Sequence, residues 1–432
     1  MERLLELAKK AADQAGVYGQ DTVSDVVNFE NSKFKGIVSG IESGVSLLLK
    51  KDGRLGSAYT RNLVDREKLV RDALVSLRNG VEAGFELPST RGLPELATFD
   101  PDIDLLTNAA MVDECDRVCA MLADESRSQV DVDASRSTST VRVLNTMGTD
   151  LTVHLSSYEC SVWTSYPGSG KFGGVRRWVS GKGFQRFPQE ELDFVAGLYN
   201  ASQTYVKPAS GRIRVLFLPE SMFVLVMRLA AATNGKSVYE KVSPLRDKVG
   251  HPILSDRVTL LDEPLNDSLP NARAFDDEGT PCRSMPIVEQ GVLRAFYYDR
   301  FYAWKNGVEP TGHGNRGGVT TKVEPALEHI RLAPGTTSFA DMLQLMGRGV
   351  VVAGFMGAQS GNILNGDYSI GLSPGLWVEN GEIVGRVRDA MVAGNVYDTM
   401  REVLAVENKT CPSWLGRYPG MLFDNVSFTA KA

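Results

Sequence analysis

Histidines, cysteines and clustered acids are the side chains with which this chain would do metal or acid–base chemistry, and they are sparse. The four histidines are His154, His251, His313 and His329, and no two lie within one helical turn. Helical spacing therefore brings no pair of imidazoles to one metal ion. Cys115 and Cys119 sit four apart, but no second pair and no nearby histidine completes a four-ligand set. They read as small buried hydrophobes. Asp276, Asp277 and Glu278 form an acid run able to attract a hard cation, yet beside Gly279 they read as turn residues. A formal G-x-G-x-x-G match at Gly168, Gly170 and Gly173 is followed by Arg176, Arg177, Trp178 and further strand-like sequence instead of a helix. Lys171 is not followed by Ser or Thr, so a phosphate cradle has the wrong flanks in either form and the segment reads as a β-loop. No G-x-S-x-G elbow occurs, Ser360 has no assignable base, and no cysteine has a histidine partner in sequence. These residues supply no catalytic constellation.

The elements around them are more informative. Pro219 to Gly235, PESMFVLVMRLAAATNG, predicts a helix with its first turn at Pro219 and Glu220 and a left-handed stop at Asn234-Gly235. It is apolar on nearly every side, broken only by Arg228, so protein is expected to cover it all round. It is shorter than the roughly 20 residues a bilayer needs. Upstream, a helix carrying Leu4, Ala8, Ala11, Ala12 and Ala15 is expected to end near Gly16. Strands are expected over Thr22 to Phe29, Gly44 to Lys50 and Leu55 to Thr60, with an Asp52-Gly53 hairpin, then a helix over Asp65 to Leu77. A Pro-containing connection, Glu86 to Asp102, leads to a helix from about Asn108 to Asp124 with Met111, Cys115, Val118 and Leu122 as its stripe. Strands over Ser139 to Asn145, Asp150 to Ser156 and Cys160 to Ser165 follow, then a helix over Gln189 to Tyr199. Beyond Gly235 the pattern is short strands with hairpins at Gln290-Gly291 and Asn380-Gly381, and one further helix, Ser338 to Met346.

The expected class is α+β: an N-terminal domain over 1–95, a central α+β domain over 105–208 and a β-rich, barrel-like domain over 211–432. Net charge is −6, with no basic stripe, which argues against nucleic-acid binding. The first residues, MERLLELAKKAADQAG, have no continuous apolar core or cleavage site, and no stretch reads as a membrane span. Five scattered cysteines, an odd number, do not make a disulfide framework. The expectation is a cytoplasmic protein.

The block from Arg273 to Ala303, RAFDDEGTPCRSMPIVEQGVLRAFYYDRFYA, resembles the TldD/PmbA (TldE) peptidase family. The resemblance continues in Gly366 to Gly371 (GDYSIG), Leu376 to Val384 (LWVENGEIV), Val392 to Asn395 (VAGN) and Asp52 to Thr60 (DGRLGSAYT). It implies a dimer enclosing a peptide cavity. Members on the TldD side are similar to metalloproteases in which a helix carries His-Glu-x-x-x-His and a cysteine near the C-terminus completes the site. Laid on this chain, the motif falls on Met227, Arg228 and Ala232, and Cys411 falls near the cysteine position without its usual neighbours. A thioether, a guanidinium and a methyl cannot rebuild a zinc site, so no catalytic and no metal-binding residue is assigned here. Zinc is expected only in a TldD-like partner.

The resemblance also places His313, Asn315 and Arg316, and Asp367 and Tyr368, beside the peptide groove. It implies a PmbA/TldE-like chain that pairs with an HExxxH-bearing subunit, or with itself, and holds unfolded peptide by strand addition. Two readings stay open beside it: a self-contained peptidase working through a site such as His313, and a homodimeric scaffold that binds peptides without cutting them.

Overall fold

The computed structural model describes residues 1–123, 129–167 and 173–431. Its architecture is α+β, as expected. The first sheet contains β1 (Gln14–Glu30), β2 (Lys33–Lys51), β3 (Arg54–Thr60), β4 (Gln129–Asn145), β5 (Asp150–Ser165) and β6 (Gly174–Gly181). They pair antiparallel in the order β3-β2-β1-β4-β5-β6, so one sheet runs through both N-terminal segments. Asp52 and Gly53 both have positive φ, 49° and 72°, the geometry that lets a two-residue turn follow the strands' own twist. Helices α1 (Glu2–Lys9) and α2 (Arg66–Ser76) pack on β1 and β2 through Leu4, Ala8, Leu69 and Ala73.

The C-terminal sheet has ten strands and curls into a half-barrel. Its centre is formed by β7 (Gly211–Phe217), β8 (Gly349–Val352), β9 (Asp367–Leu372), β10 (Gly375–Glu379), β11 (Glu382–Val387), β12 (Ala390–Asn395) and β13 (Met421–Ala430), in the order β9-β12-β13-β7-β8-β10-β11. Alternation along β7 explains the layering, because successive side chains leave opposite faces of a strand. Val215 and Phe217 join the cluster that holds α5 (Phe223–Thr233), while Leu216 and Leu218 join the cluster under α3 (Asn108–Leu122) and α4 (Gln189–Ala201). The sheet is covered on both faces, α5 on one and α3 and α4 on the other.

Several expectations are corrected. The first helix stops at Lys9 and Ala15 lies in β1 opposite Leu49. Small apolar residues suit both the helical and the strand period, so Ala11, Ala12 and Ala15 did not discriminate. β1 and β2 extend well beyond Thr22–Phe29 and Gly44–Lys50. In the C-terminal half the helix at Phe339–Met346 is capped by Ser338 as expected, but Gly235–Tyr239, Arg300–Asn306 and Val396–Thr399 are helical too. The Gln290-Gly291 and Asn380-Gly381 turns have the expected positive φ angles. Gly168, Gly170 and Lys171 of the glycine loop lie outside the described residues; Gly173 precedes β6, a strand and not a helix.

α5 itself differs in three ways from the reading of Pro219 to Gly235. Its helical residues begin at Phe223, after a turn formed by Pro219 to Met222. It is not covered all round: Phe223, Met227, Ala230 and Ala231 are only half-buried and form one stripe at helical spacing. Its end is not left-handed either, because Asn234 has φ −72° and its side chain accepts from Lys236 N to start the next short helix. Gly235 is needed for close approach, since a Cβ there would stand 2.1 Å from Tyr298 Cδ1 and 2.9 Å from Tyr297 O. Gly235→Ala is therefore expected to cost about 1–3 kcal/mol by overpacking, read as a lower urea midpoint. An unchanged or raised midpoint would mean that the residue serves only as a helix stop.

Candidate functional site

The positions aligned with the metal motif diverge in space. Met227 belongs to the half-open stripe, while Arg228 and Ala232 are both fully buried. A guanidinium cannot shed its charge inside a protein, so its N–H groups must meet acceptors. Arg228 Nη1 donates to Val224 O one turn back at 2.6 Å, Nε to Asp367 O at 2.8 Å and Nη2 to Ser360 O at 2.7 Å. Its carbon lies 5.9 Å from the centre of the Tyr368 ring. Where the resemblance puts a water-polarising carboxylate, the chain has a fixed cation that ties α5 to the Ser360 loop and to the start of β9.

The remaining candidate donors lie inside the chain. Cys411 is buried, and burial pushes its thiol up to about 12. His329 Nε2 donates to Asn271 O at 2.6 Å, and burial pushes its pKa down. Among the described residues no group of three His, Cys, Asp or Glu side chains is placed to hold a metal ion.

The groove candidates divide into two sets. His313 is 2% exposed, its Nε2 donates to Asp262 Oδ2 at 3.0 Å and its Nδ1 pairs with Thr311 Oγ1 at 2.8 Å. It is neither a solvent-facing loop residue nor a free hydrogen-bonding group for peptide, because both ring nitrogens are engaged inside the chain. Asn315 Nδ2 donates to Ala326 O at 2.8 Å, which leaves it a part in holding its own loop. Tyr368 is also interior, its hydroxyl 2.8 Å from Thr399 Oγ1. Asp367 is exposed and its carboxylate accepts from Asn395 Nδ2 at 3.0 Å.

Arg316 is half-buried. It lines a cavity of about 760 Å³ between the first sheet and the C-terminal half, with its guanidinium 5.0 Å from the Tyr18 ring centre and Nη1 bonded to Thr321 O at 3.0 Å. The acid run forms one wall. Asp276 Oδ1 accepts from Glu278 N and Thr280 N in the turn at Gly279, Asp277 pairs with Arg273, and Glu278 and Asp299 face the cavity. The turn reading of these acids holds, but they are interior and not surface groups. Burial, and the neighbouring carboxylates, push Asp276 to about 7, Asp299 to about 7 and Glu278 to about 8.

Sequence reasoning missed a further cluster. Arg176 and Arg177 leave β6 on opposite sides by the two-residue period of a strand. Arg177, 1% exposed, gives Nε to Glu191 Oε2 at 2.9 Å and Nη1 to Glu220 Oε1 at 2.5 Å. That pairing fixes the turn before α5 against β6 and α4. The doubled arginine beside Trp178 was the available signal.

The raised acids set a pH dependence. Their folded pKa values lie above the unfolded value of roughly 4, so stability held by the neutral acids is full below that pH and is lost as pH rises toward about 8. The urea midpoint is expected to fall between about pH 4.5 and about pH 8 and to level off above. Asp299→Asn keeps the N-cap on Tyr302 N and should shrink that fall. An equal fall in the variant would remove Asp299 from the titrating set.

Comparison with known proteins agrees with this layout. Residues 210–430 match the model of the PmbA/TldA metallopeptidase C-terminal domain, and residues 15–79 that of PmbA/TldA metallopeptidase domain 1. The chain is 34% identical over 201 residues to a metalloprotease PmbA homolog of Haemophilus influenzae, covering 46% of this chain and 42% of that protein. It is 36% identical over 194 residues to metalloprotease PmbA of Escherichia coli O157:H7, covering 45% and 40%. The matched stretch thus spans less than half the length of these two relatives. The crystal structure of TldE from Thermococcus kodakarensis superposes with a TM-score of 0.91 over 100% of both chains at 21% identity, a likeness of fold. With the C-terminal model matched across its half-barrel and the first-domain model across the opening hairpin, the chain belongs to the TldD/PmbA/TldE metallopeptidase family.

Proposed function

We propose that this chain is the peptide-holding, non-catalytic subunit of a TldD/TldE-type peptidase: a PmbA/TldE-like protein that pairs in the cytoplasm with a TldD-like subunit bearing His-Glu-x-x-x-His. Zinc and the activated water belong to that partner. The observation that carries this reading is Arg228, which stands at the glutamate position with its guanidinium bonded to three main-chain carbonyls. Restoring a zinc site would require removing that cation and forcing an imidazole into the filled space at Ala232. The self-contained alternative through His313 is disfavoured by the same kind of accounting, since both its ring nitrogens are engaged internally.

Two surfaces support the binding role. The half-open stripe of α5 continues into Trp414, whose ring lies 5.3 Å from Phe223 and 5.8 Å from Phe355. Phe355–Met356 is an edge strand of the half-barrel with unpaired backbone on one side, the kind of edge to which an extended peptide adds by main-chain hydrogen bonds. On the opposite lobe the β1–β2 hairpin exposes Ile37 (41%) and Ile41 (83%) on one face and Val38 (63%) on the other, apolar side chains suited to a partner subunit. Co-expression with an HExxxH-bearing relative is expected to yield a complex that cleaves unfolded peptide and loses activity with chelator, while either chain alone is inactive. Chelator-sensitive cleavage by this chain alone would contradict the proposal. A stable homodimer that binds peptide and ignores the relative would favour a scaffold instead.

A further inference from the structure

Arg176 is a half-buried cation with no conventional partner. Its guanidinium carbon lies 4.7 Å from the Trp163 ring centre, 4.8 Å from Trp178 and 4.3 Å from Trp414. Among the described residues neither an ion pair nor a hydrogen bond reaches its N–H groups, in contrast to Arg177 beside it, which has two carboxylates. Aromatic faces hold a guanidinium by its flat sides and leave the in-plane donors free. Burial lowers its pKa to about 10, which still leaves it charged at neutral pH.

Those donors border a cavity of about 220 Å³ lined by Arg176, Trp163, Trp414, Phe355, Glu220 and Ser221. Glu220 is 2% exposed and Ser221 0% exposed. Glu220 Oε2 and Ser221 Oγ are buried and lack any hydrogen-bond partner, an arrangement that costs about 1–3 kcal/mol per group unless a ligand or water completes it. The cavity therefore presents a free bidentate cation, an acceptor that needs a donor and a hydroxyl, beside two aromatic walls. Its volume is below the roughly 300–1,000 Å³ of a small-molecule site, which suits an end group more than a whole ligand. A multiply charged anion would meet Glu220, whereas a group carrying a carboxylate and a nearby N–H satisfies both walls. Phe355 belongs both to this cavity and to the edge strand Phe355–Met356.

We propose that this cavity receives the C-terminal residue of the extended peptide, its terminal carboxylate on Arg176, its last backbone N–H on Glu220 and its side chain against Phe355 and Trp414. The proposal rests on the peptide-holding role given above and names the part of the peptide that is recognised. Three of the chain's five tryptophans surround Arg176, so intrinsic fluorescence reports on the cavity directly.

The full-length chain is titrated with N-acetyl-Ala-Ala-Leu as the free acid, as the C-terminal amide, and with an amidated peptide carrying an internal Glu. The free acid is expected to bind with a tryptophan signal and the plain amide at least about tenfold more weakly, as loss of a charge-assisted bidentate pair implies. Arg176→Gln should abolish the difference. Equal binding of acid and amide by the wild-type chain would overturn the cavity assignment while leaving the peptide-holding role intact. Equal binding of the acid and the internal-Glu amide would overturn the terminal assignment alone. Binding of none of the three would overturn the peptide-holding role and this inference with it. The acid-to-amide contrast needs no variant, so a failure of Arg176→Gln to fold does not remove the test.

Discussion

A guanidinium placed in the middle of an apolar helix must find oxygen, and at Arg228 it finds three main-chain carbonyls. Desolvating that charge is costly, and only the bonds to Val224, Ser360 and Asp367 make it tolerable. The constraint therefore runs outward from α5. The loop at Ser360 and the first residue of β9 have to stay where their carbonyls point at the helix. Tyr368, one residue on, closes over the cation with its hydroxyl on Thr399. Arg228 thus acts as a brace between the core helix and the half-barrel.

A second buried cation braces the other end. Arg177 binds Glu220 and Glu191 and so connects the turn before α5 to β6 and α4, which places the first sheet, the α3–α4 layer and the half-barrel in one fixed stack. The two arginines differ in what they leave over. Each nitrogen of Arg228 donates to a backbone carbonyl, whereas Arg177 leaves the outer oxygen of Glu220 unpaired on the wall shared with Arg176. The larger cavity at the junction of the lobes has the opposite balance, with Glu278 and Asp299 on its wall and burial pushing their carboxyl pKa values up to about 8 and about 7.

Much of the fold was legible from local pattern. The Met111, Cys115, Val118 and Leu122 stripe is buried on α3, and the Asp-Gly, Gln-Gly and Asn-Gly pairs turn where their φ angles require. These signals are local, and local propensity agreed with tertiary packing. At the site, residue type was legible: Met227, Arg228 and Ala232 are a thioether, a guanidinium and a methyl, none of them a ligand of zinc. What could not be read was partnership across the chain. His313 is held by Asp262, 51 residues away, and Arg228 by carbonyls more than 130 residues away. The tryptophan walls around Arg176 come from β5, β6 and the segment near Cys411, and no spacing rule links them. Asn234-Gly235 misled for a related reason: the pair suits a left-handed stop, but the ring of Tyr298 supplied a different demand for glycine.

The central claim, that Arg228 and its neighbours leave this chain without a catalytic metal, is tested most directly by metal content. The purified chain is incubated with excess zinc, dialysed into metal-free buffer and analysed by elemental mass spectrometry. The account predicts zinc far below one ion per chain. One zinc per chain, retained through dialysis and released only by a strong chelator, would contradict it.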